Sequence, residues 1–164
     1  MPMGNGTVKI HRGIFLLSLL SANNSEPIKG RTKLEKLLFL IRNEILANTH
    51  YEKGYYVFEP YKFGPFTADI FDDVILMEDL GYITKQDGRE DIIYRITEKG
   101  EQKLHQIYQK LPKDIHDQLV DINKKIEKLK KEKNKLSLST LLSYVYQRYP
   151  LYTINSEIKE SILY

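Results

Sequence analysis

The fold is decided by residues 63–83, which read FGPFTADIFDDVILMEDLGYI. Gly64 and Pro65 predict the start of a helix, because a proline at the first helical position sacrifices no hydrogen bond. Gly81 predicts its end, since glycine readily adopts the left-handed conformation just past a last helical turn. Apolar side chains recur at helical spacing between these points and predict a helix 66–80 with one broad core face: Phe66, Ile70, Val74 and Met77, flanked by Phe71, Ile75 and Leu80.

A hairpin is predicted immediately after this helix. The β-prone runs 82–84 and 92–97 are separated by a polar segment that contains Asp87-Gly88, a turn signal. A helix that leads directly into a hairpin is the order of recognition helix and wing in winged helix-turn-helix proteins. The sequence therefore predicts a mostly α (α+β) fold. It consists of a disordered N-terminus at 1–7, a winged helix-turn-helix over 8–111, and a helical or coiled-coil extension over 112–164.

The predicted helix carries five carboxylates and no lysine or arginine between Phe66 and Leu80. A helix that enters the DNA major groove normally presents cationic or amide side chains, so phosphate groups would repel this one. Three interpretations are open: a solvated face, an acidic docking surface for a basic protein partner, and a metal site. The metal site would use Asp69, Asp72 and Asp73. The docking surface would use the carboxylates predicted opposite the core, namely Asp69, Asp72, Asp73 and Asp79.

Length and composition fit one compact domain, or one domain with an extension. The chain has 164 residues, of which 41% are hydrophobic and 29% charged, and its formal net charge is +3. This charge is too small to indicate nucleic acid binding by itself. The sequence contains no cysteine, which is compatible with the cytoplasmic localisation that we expect. The apolar run 14–20 is too short to span a bilayer, so we expect no membrane association.

Two groups of basic residues are candidates for contacts with a nucleic acid backbone. A second helix is predicted to start at Thr32, where Thr32 and Glu35 fit a capping box. Helix N-termini suit anions, so basic residues around this start are placed to contact phosphate, although a solvated helix end explains them equally well. The candidate nucleic-acid-binding residues are Lys29, Arg31, Lys33 and Lys36 at this helix start, and Lys85, Arg89 and Arg95 in the wing.

Other elements are placed around this unit. A first helix is predicted over residues 8–22, and the aromatic-rich segment 47–62 predicts an inserted strand or short hairpin before the acidic helix. Thr97 to Gly100 predicts the start of a helix that runs to Leu111. A short helix is predicted over 140–149, and Asn155 is predicted to cap a final turn or two.

Apolar residues after Pro112 repeat at the spacing of a coiled-coil seam. Such a seam can pair with a second copy or lie back on its own domain, and its narrowness in a highly charged helix favours a homodimer. Seven lysines and two glutamates lie between Lys124 and Lys135, which indicates a second basic patch or a solvated surface. The predicted dimerisation residues are Ile115, Leu119, Ile122, Ile126 and Leu129.

Four segments carry a family resemblance: IKGRTKLEKL at 28–37, FGPF at 63–66, LGYI at 80–83 and YRITEKG at 94–100. Together they resemble the YwgA-like winged-helix proteins and, more distantly, the Panacea/SocA-type antitoxin domain. The resemblance covers roughly residues 9 to 110. It implies a compact helix-turn-helix derivative without enzymatic activity, acting on DNA in regulator relatives and on proteins in the antitoxin branch. The acidic helix departs from a DNA-reading pattern, so no base contacts are transferred.

The sequence offers no arrangement of residues typical of an enzyme. His11, His50, His105 and His116 are scattered, and neither a Gly-rich phosphate loop nor a nucleophile elbow is present. We therefore expect a non-enzymatic protein without a cofactor. The leading hypothesis is a dimeric, DNA-binding transcriptional regulator. The alternative is an antitoxin-like protein-interaction module, and a scaffold that oligomerises through the coiled coil is a third.

Overall fold

The computed structural model describes residues 9–62 and 64–153. Helices account for most of these residues, and the strands form two small antiparallel sheets, so the predicted α+β class is confirmed. The N-terminus expected to be disordered and the final turns expected after Asn155 lie outside the described residues. None of the helices in the two described ranges has both the length and the apolar character needed to cross a membrane.

The elements follow one another along the chain with short connections. The helices are α1 (Gly13–Ser25), α2 (Arg31–Leu40), α3 (Asp69–Asp79), α4 (Glu98–Gln109), α5 (Lys113–Lys133) and α6 (Leu138–Arg148). A π-helical stretch (Ile41–Leu46) continues α2, and short 3-10 turns lie at His50–Glu52 and Pro150–Thr153. The strands are β1 (Ile28–Lys29), β2 (Glu59–Tyr61), β3 (Gly64–Phe66), β4 (Ile83–Asp87) and β5 (Ile92–Ile96).

The predicted helix-to-hairpin unit is present. Strands β4 and β5 pair antiparallel from Ile83↔Ile96 to Asp87↔Ile92, and β1 adds to the other edge of β5, which gives the order β1-β5-β4. Gly81 ends α3 as predicted: its φ is 83°, its N–H donates to the carbonyl of Glu78, and the N–H of Tyr82 donates to that of Met77. These two bonds form the Schellman end of a helix.

The predicted starts of α2 and α3 were wrong. Gly64 and Pro65 belong to β3, which pairs with β2 in a separate hairpin, and α3 begins only at Asp69. Gly64 has a φ of 90° and packs so closely on the ring of Tyr146 that a Cβ would clash with it. The predicted capping box also fails, because α2 already begins at Arg31 and the side chain of Glu35 binds elsewhere.

The core is built around α1, whose residues 13–20 are all buried. A helix that is apolar on every side must be covered on every side, and α1 is contacted by α4, α5 and β5. The helix starts at Gly13, later than the predicted residue 8. Its last turn departs from helical geometry at Ala22–Asn24, where Asn23 and Asn24 take positive φ.

The coiled-coil seam closes within the chain. Leu119, Ile122, Ile126 and Leu129 are buried and Ile115 is half-buried in the single chain, where α5 packs along α1 and the π-helical stretch. A surface already covered by its own domain cannot pair with a second copy without unfolding. The predicted dimer through these five residues is therefore not supported, and the helix lies back on its own domain.

A buried lysine ties α5 to the end of α1. Lys130 is fully buried, and its Nζ donates to the carbonyl oxygens of Leu20 (3.1 Å) and Ala22 (2.7 Å). These are orphan carbonyls of a helix C-terminus, which a cation satisfies favourably. Burial lowers the pKa of Lys130 to about 8, against the opposing effect of Glu26, Glu127 and Glu101.

Packing of α5 inside the chain predicts the effect of truncating its seam. Ile126→Ala leaves a cavity beside α1 and should lower the free energy of unfolding by about 2–5 kcal/mol in a denaturant titration. Lys128→Ala, an exposed change on the same helix, should stay within about 0.5 kcal/mol. A stably folded Ile126→Asp variant that merely changes oligomeric state would contradict the intramolecular seam.

Lys130 predicts a pH dependence of stability. Its folded pKa of about 8 lies below its ordinary value of 10.5, so between these values the unfolded chain binds more protons and the free energy of unfolding rises with pH. Below about pH 8 Lys130 is protonated in both the folded and the unfolded chain, so its contribution to the free energy of unfolding no longer changes with pH. The contribution is least favourable there. Relative to Lys130→Met, the wild type should therefore gain stability from about pH 8 to 10.5 in paired denaturant titrations. If the free energies of unfolding of the two proteins changed with pH in parallel, the lowered pKa of Lys130 would be rejected.

Candidate functional site

The functional candidate is the outward face of α3, and its orientation follows from what the inner face binds. Ile70, Val74 and Met77 are buried as predicted. Asp73 is buried with them, because positions 70, 73, 74 and 77 share one helical face. The prediction that Asp73 lies on the exposed acidic surface was therefore wrong.

Arg12, at the start of α1, holds Asp73 in place. Its Nε lies 2.8 Å from Asp73 Oδ2 and its Nη2 lies 3.2 Å from Oδ1, a bidentate pair. The hydroxyl of Tyr56 donates to Asp73 Oδ2 at 2.7 Å, and the guanidinium also lies 4.8 Å from the centre of the Tyr56 ring. Burial, followed by the negative charge of Asp73, raises the pKa of Tyr56, which keeps the phenol protonated as a donor. A hydrogen bond from Arg12 to Asp73 raises the pKa of Arg12.

This cluster reaches the edge of the solvent through Asp69. Its Oδ2 lies 3.3 Å from Arg12 Nη1, although the Asp69 side chain is half exposed. A Cβ at Gly13 would overlap the terminal methyl group of Met77, so that flexible side chain would have to move. Two of the four predicted partner-binding aspartates, Asp69 and Asp73, are thus bound to Arg12 and serve to seat α3 on α1.

The outward side of α3 combines carboxylates with exposed apolar side chains. Ile75, Leu76 and Leu80 are 58%, 50% and 44% exposed, although Ile75 and Leu80 were predicted to flank the core. Asp72 and Asp79 are exposed and make no ion pair with any residue in the described ranges. Helical spacing places these residues together. We call this surface the acidic–apolar face: Asp72, Ile75, Leu76, Asp79 and Leu80.

A small cavity of about 280 Å³ lies beside α3, between α2 and the β2–β3 hairpin. The rings of Tyr61 and Phe66 face each other at 4.8 Å across its hairpin side, and Phe71 lines its α3 side. Arg31 lies over the Phe71 ring at 4.2 Å. Phe71 is one turn before Ile75, so this cavity borders the acidic–apolar face and offers space for an anchoring side chain.

Two lysines of the predicted phosphate patch have structural partners. Lys36 is buried, and its Nζ donates to Glu35 Oε1 and to the carbonyl of Pro65, both at 2.7 Å. Burial lowers the pKa of Lys36, and the negative charge of Glu35 opposes this shift. Lys33 donates to the carbonyls of Asn134 (3.0 Å) and Leu136 (2.7 Å) at the end of α5, and burial lowers its pKa too. Lys33 and Lys36 are therefore unsuited to contact DNA.

The remaining predicted nucleic-acid contacts are exposed: Lys29, Arg31, Lys85, Arg89 and Arg95. The register of β1 and β5 places Lys29 opposite Ile93, two residues from Arg95 on the same outward side of the sheet. The hairpin also carries Asp87, Glu90 and Asp91, which are exposed as well. The wing is thus mixed in charge, and a basic surface is confined to the outward face of the sheet.

The metal-site hypothesis is not supported. Asp69 and Asp73 are bound to Arg12, and no cluster of three or more His, Asp or Glu side chains suited to a metal ion occurs in the ranges 9–62 and 64–153. Sequence reasoning missed Arg12 and Tyr56, because both are far from α3 along the chain. The one available signal was the spacing of Asp73 with Ile70, Val74 and Met77.

Comparisons of this chain with protein-family models, with curated proteins and with solved structures give no match.

The seating of α3 predicts different effects for two neighbouring aspartates. Asp73→Asn removes the charge that Arg12 and Tyr56 bind, and should lower the free energy of unfolding by about 1–3 kcal/mol. Asp72→Asn is the matched control, because the same chemical change on the outward face should stay within about 0.5 kcal/mol. Chemical denaturation monitored by circular dichroism measures both, and equal effects would contradict the assigned roles.

Proposed function

We propose that this chain is a non-enzymatic, winged-helix-derived protein-interaction module whose acidic–apolar face binds a basic protein partner. The observation that carries the proposal is the outward side of α3, where exposed Ile75, Leu76 and Leu80 alternate with unpaired Asp72 and Asp79. An apolar centre with charges that select the partner is the composition of a protein interface.

The order of elements supports a winged-helix derivation. Helices α1, α2 and α3 are followed by the β4–β5 hairpin, and β1, between α1 and α2, joins the same sheet. In this scheme α3 occupies the position of the recognition helix and β4–β5 that of the wing. Residues 41–68, with the π-helical stretch and the β2–β3 hairpin, are an insertion between the second and third helices. The resemblance to YwgA-like proteins and to the antitoxin domain fits this scheme and remains a proposal.

The charge of α3 argues against its use on DNA. Its exposed side presents carboxylates and aliphatic groups, whereas direct readout needs donors such as arginine or asparagine and phosphate attraction needs cations. Arg31 lies on the Phe71 ring, and Arg12 is bound to two aspartates. A basic partner reverses this balance, because its lysines or arginines would meet Asp72 and Asp79.

The partner is expected to present apolar and basic groups on one surface, as an amphipathic helix does. Aliphatic side chains of the partner would cover Ile75 and Leu76, and a larger one would enter the cavity lined by Tyr61, Phe66 and Phe71. Anchors that fill such pockets carry a large share of the energy of an interface. Flanking basic groups would set the orientation.

DNA binding is the second candidate, favoured by the exposed Lys29 and Arg95 on the outward face of the sheet. On this alternative the wing and the sheet contact the phosphate backbone, and α3 faces away from the duplex. Affinity would then come mainly from phosphate contacts and fall steeply with salt. Sequence specificity would be modest, since backbone contacts position a protein without reading bases.

One set of variants distinguishes the two candidate functions, protein binding and DNA binding. A partner captured by the tagged chain is purified, and its affinity for the wild type is compared with that for Asp72→Lys/Asp79→Lys. Reversal of both charges should weaken binding at least about 100-fold, equivalent to about 2.7 kcal/mol. The matched control is Asp121→Lys/Glu132→Lys, an equal change of charge on exposed positions of α5, which should bind like the wild type.

Leu76→Ala tests the apolar part of the same surface. Because this side chain is half exposed, its truncation should leave the unfolding curve almost unchanged while weakening the purified complex about tenfold, or about 1.4 kcal/mol. Calorimetry on the purified pair gives this affinity directly. Duplex binding that is salt-dependent, lost in Lys29→Ala/Arg95→Ala and unchanged by reversal at Asp72 and Asp79 would favour the DNA candidate instead.

A further inference from the structure

A second candidate site lies on another part of the surface, where the start of α1 meets the 3-10 turn His50–Glu52. A cavity of about 930 Å³ opens there, large enough for a small molecule of nucleotide size. Its described lining includes Lys9, His11, Arg12, His50 and Lys53 and contains no aspartate or glutamate. Apart from Tyr51, the ionisable side chains of this described lining are basic, which favours an anionic ligand.

Carboxylates around the cavity offset part of this positive charge: two of them bind Arg12, and Asp114 lies close enough to Tyr51 that its charge, after burial, raises the pKa of that phenol. Asp69 and Asp73 bind Arg12 from the α3 side. Glu52, between Tyr51 and Lys53 in the chain, lies 3.7 Å from Arg42 and does not line the cavity. Lys9 and Lys53 are exposed and form no ion pair with another residue of the described ranges, so both ammonium groups are available to a ligand.

The histidines give the cavity donors and a flat wall. His11 Nδ1 accepts the N–H of Gly13 at 2.9 Å, which places the proton of the neutral ring on Nε2 as a donor. The rings of His50 and Tyr51 lie 4.1 Å apart at an angle of 33°, and the Tyr51 hydroxyl is bonded to Gln118. The exposed His50 ring therefore offers an aromatic surface, beside Ile10, on which a planar group can stack.

We propose that this cavity binds a small anionic ligand with an aromatic ring, of the chemical class of nucleoside phosphates. Lys9 and Lys53 would bind the phosphate oxygens, His11 would donate a hydrogen bond, and the base would stack on His50. The inference does not depend on the acidic–apolar face.

Isothermal titration of the full chain with three probes tests the site: ATP without divalent cation, tripolyphosphate and adenosine. ATP should bind most tightly, tripolyphosphate more weakly and adenosine least, because only ATP carries both the phosphates and the aromatic base. Lys9→Ala/Lys53→Ala should weaken ATP binding about tenfold or more, since each removed cation loses a charge-assisted contact. Lys128→Ala/Lys131→Ala is the matched control: it removes the same charge from exposed positions on α5 and should leave the affinity unchanged.

Four outcomes would overturn the proposal or one of its parts. ATP that fails to bind at concentrations up to about 1 mM, the weak end of specific binding, rejects the site. An equal loss of affinity in the two lysine double variants rejects its location, because the anion is then attracted by net charge alone. Equal affinities for ATP and tripolyphosphate reject the aromatic subsite, and His50→Ala with unchanged ATP affinity does the same. Titration of the Asp72→Lys/Asp79→Lys variant with ATP shows whether the acidic–apolar face contributes to ATP binding, so failure of one proposal can be told from failure of the other.

Discussion

The bidentate pair between Arg12 and Asp73 decides which side of α3 faces the solvent. With Asp73 drawn inward and bonded to Tyr56, the buried positions of α3 are Ile70, Asp73, Val74 and Met77. The opposite side then has no partner within the described chain and exposes Ile75 and Leu76. An inward aspartate tolerates burial only when its charge is fully bonded. Loss of that pair would therefore weaken the attachment of α3 to α1, which supports the candidate interaction surface.

Three lysines of the predicted basic patches serve as internal supports, although five of the seven predicted nucleic-acid contacts remain exposed. Lys33 satisfies carbonyls at the end of α5, Lys130 satisfies carbonyls at the end of α1, and Lys36 joins α2 to the β2–β3 hairpin through Pro65. Each lysine thus connects elements that are distant in sequence. Lys33 and Lys130, together with the apolar side of α5, attach the C-terminal helices to the N-terminal core. The result is one continuous core in the described residues instead of a domain with a free coiled-coil arm.

Local signals in the sequence were sufficient for the elements that local chemistry determines. Gly81 and Asp87-Gly88 predicted the end of α3 and the hairpin, and Thr97 predicted the start of α4, where its Oγ1 accepts the N–H of Gly100. Contacts across the chain were not predictable in this way. Asp73 depends on Arg12, 61 residues away, and Gly64 on Tyr146. The apolar spacing of α5 was also read correctly, but the spacing alone does not say whether a seam closes on its own chain or on another.

The acidic–apolar face of α3, which the inner bonds of the helix orient toward the solvent, is proposed to bind a basic protein. Site-specific photocrosslinking tests this most directly. A photoreactive side chain is placed at Leu76 or, as a control, at Leu151, which is 78% exposed on the Pro150–Thr153 turn. We expect a discrete protein adduct from position 76 and none from position 151. An adduct from position 151 alone, or crosslinking of position 76 to DNA instead of protein, would contradict the proposal.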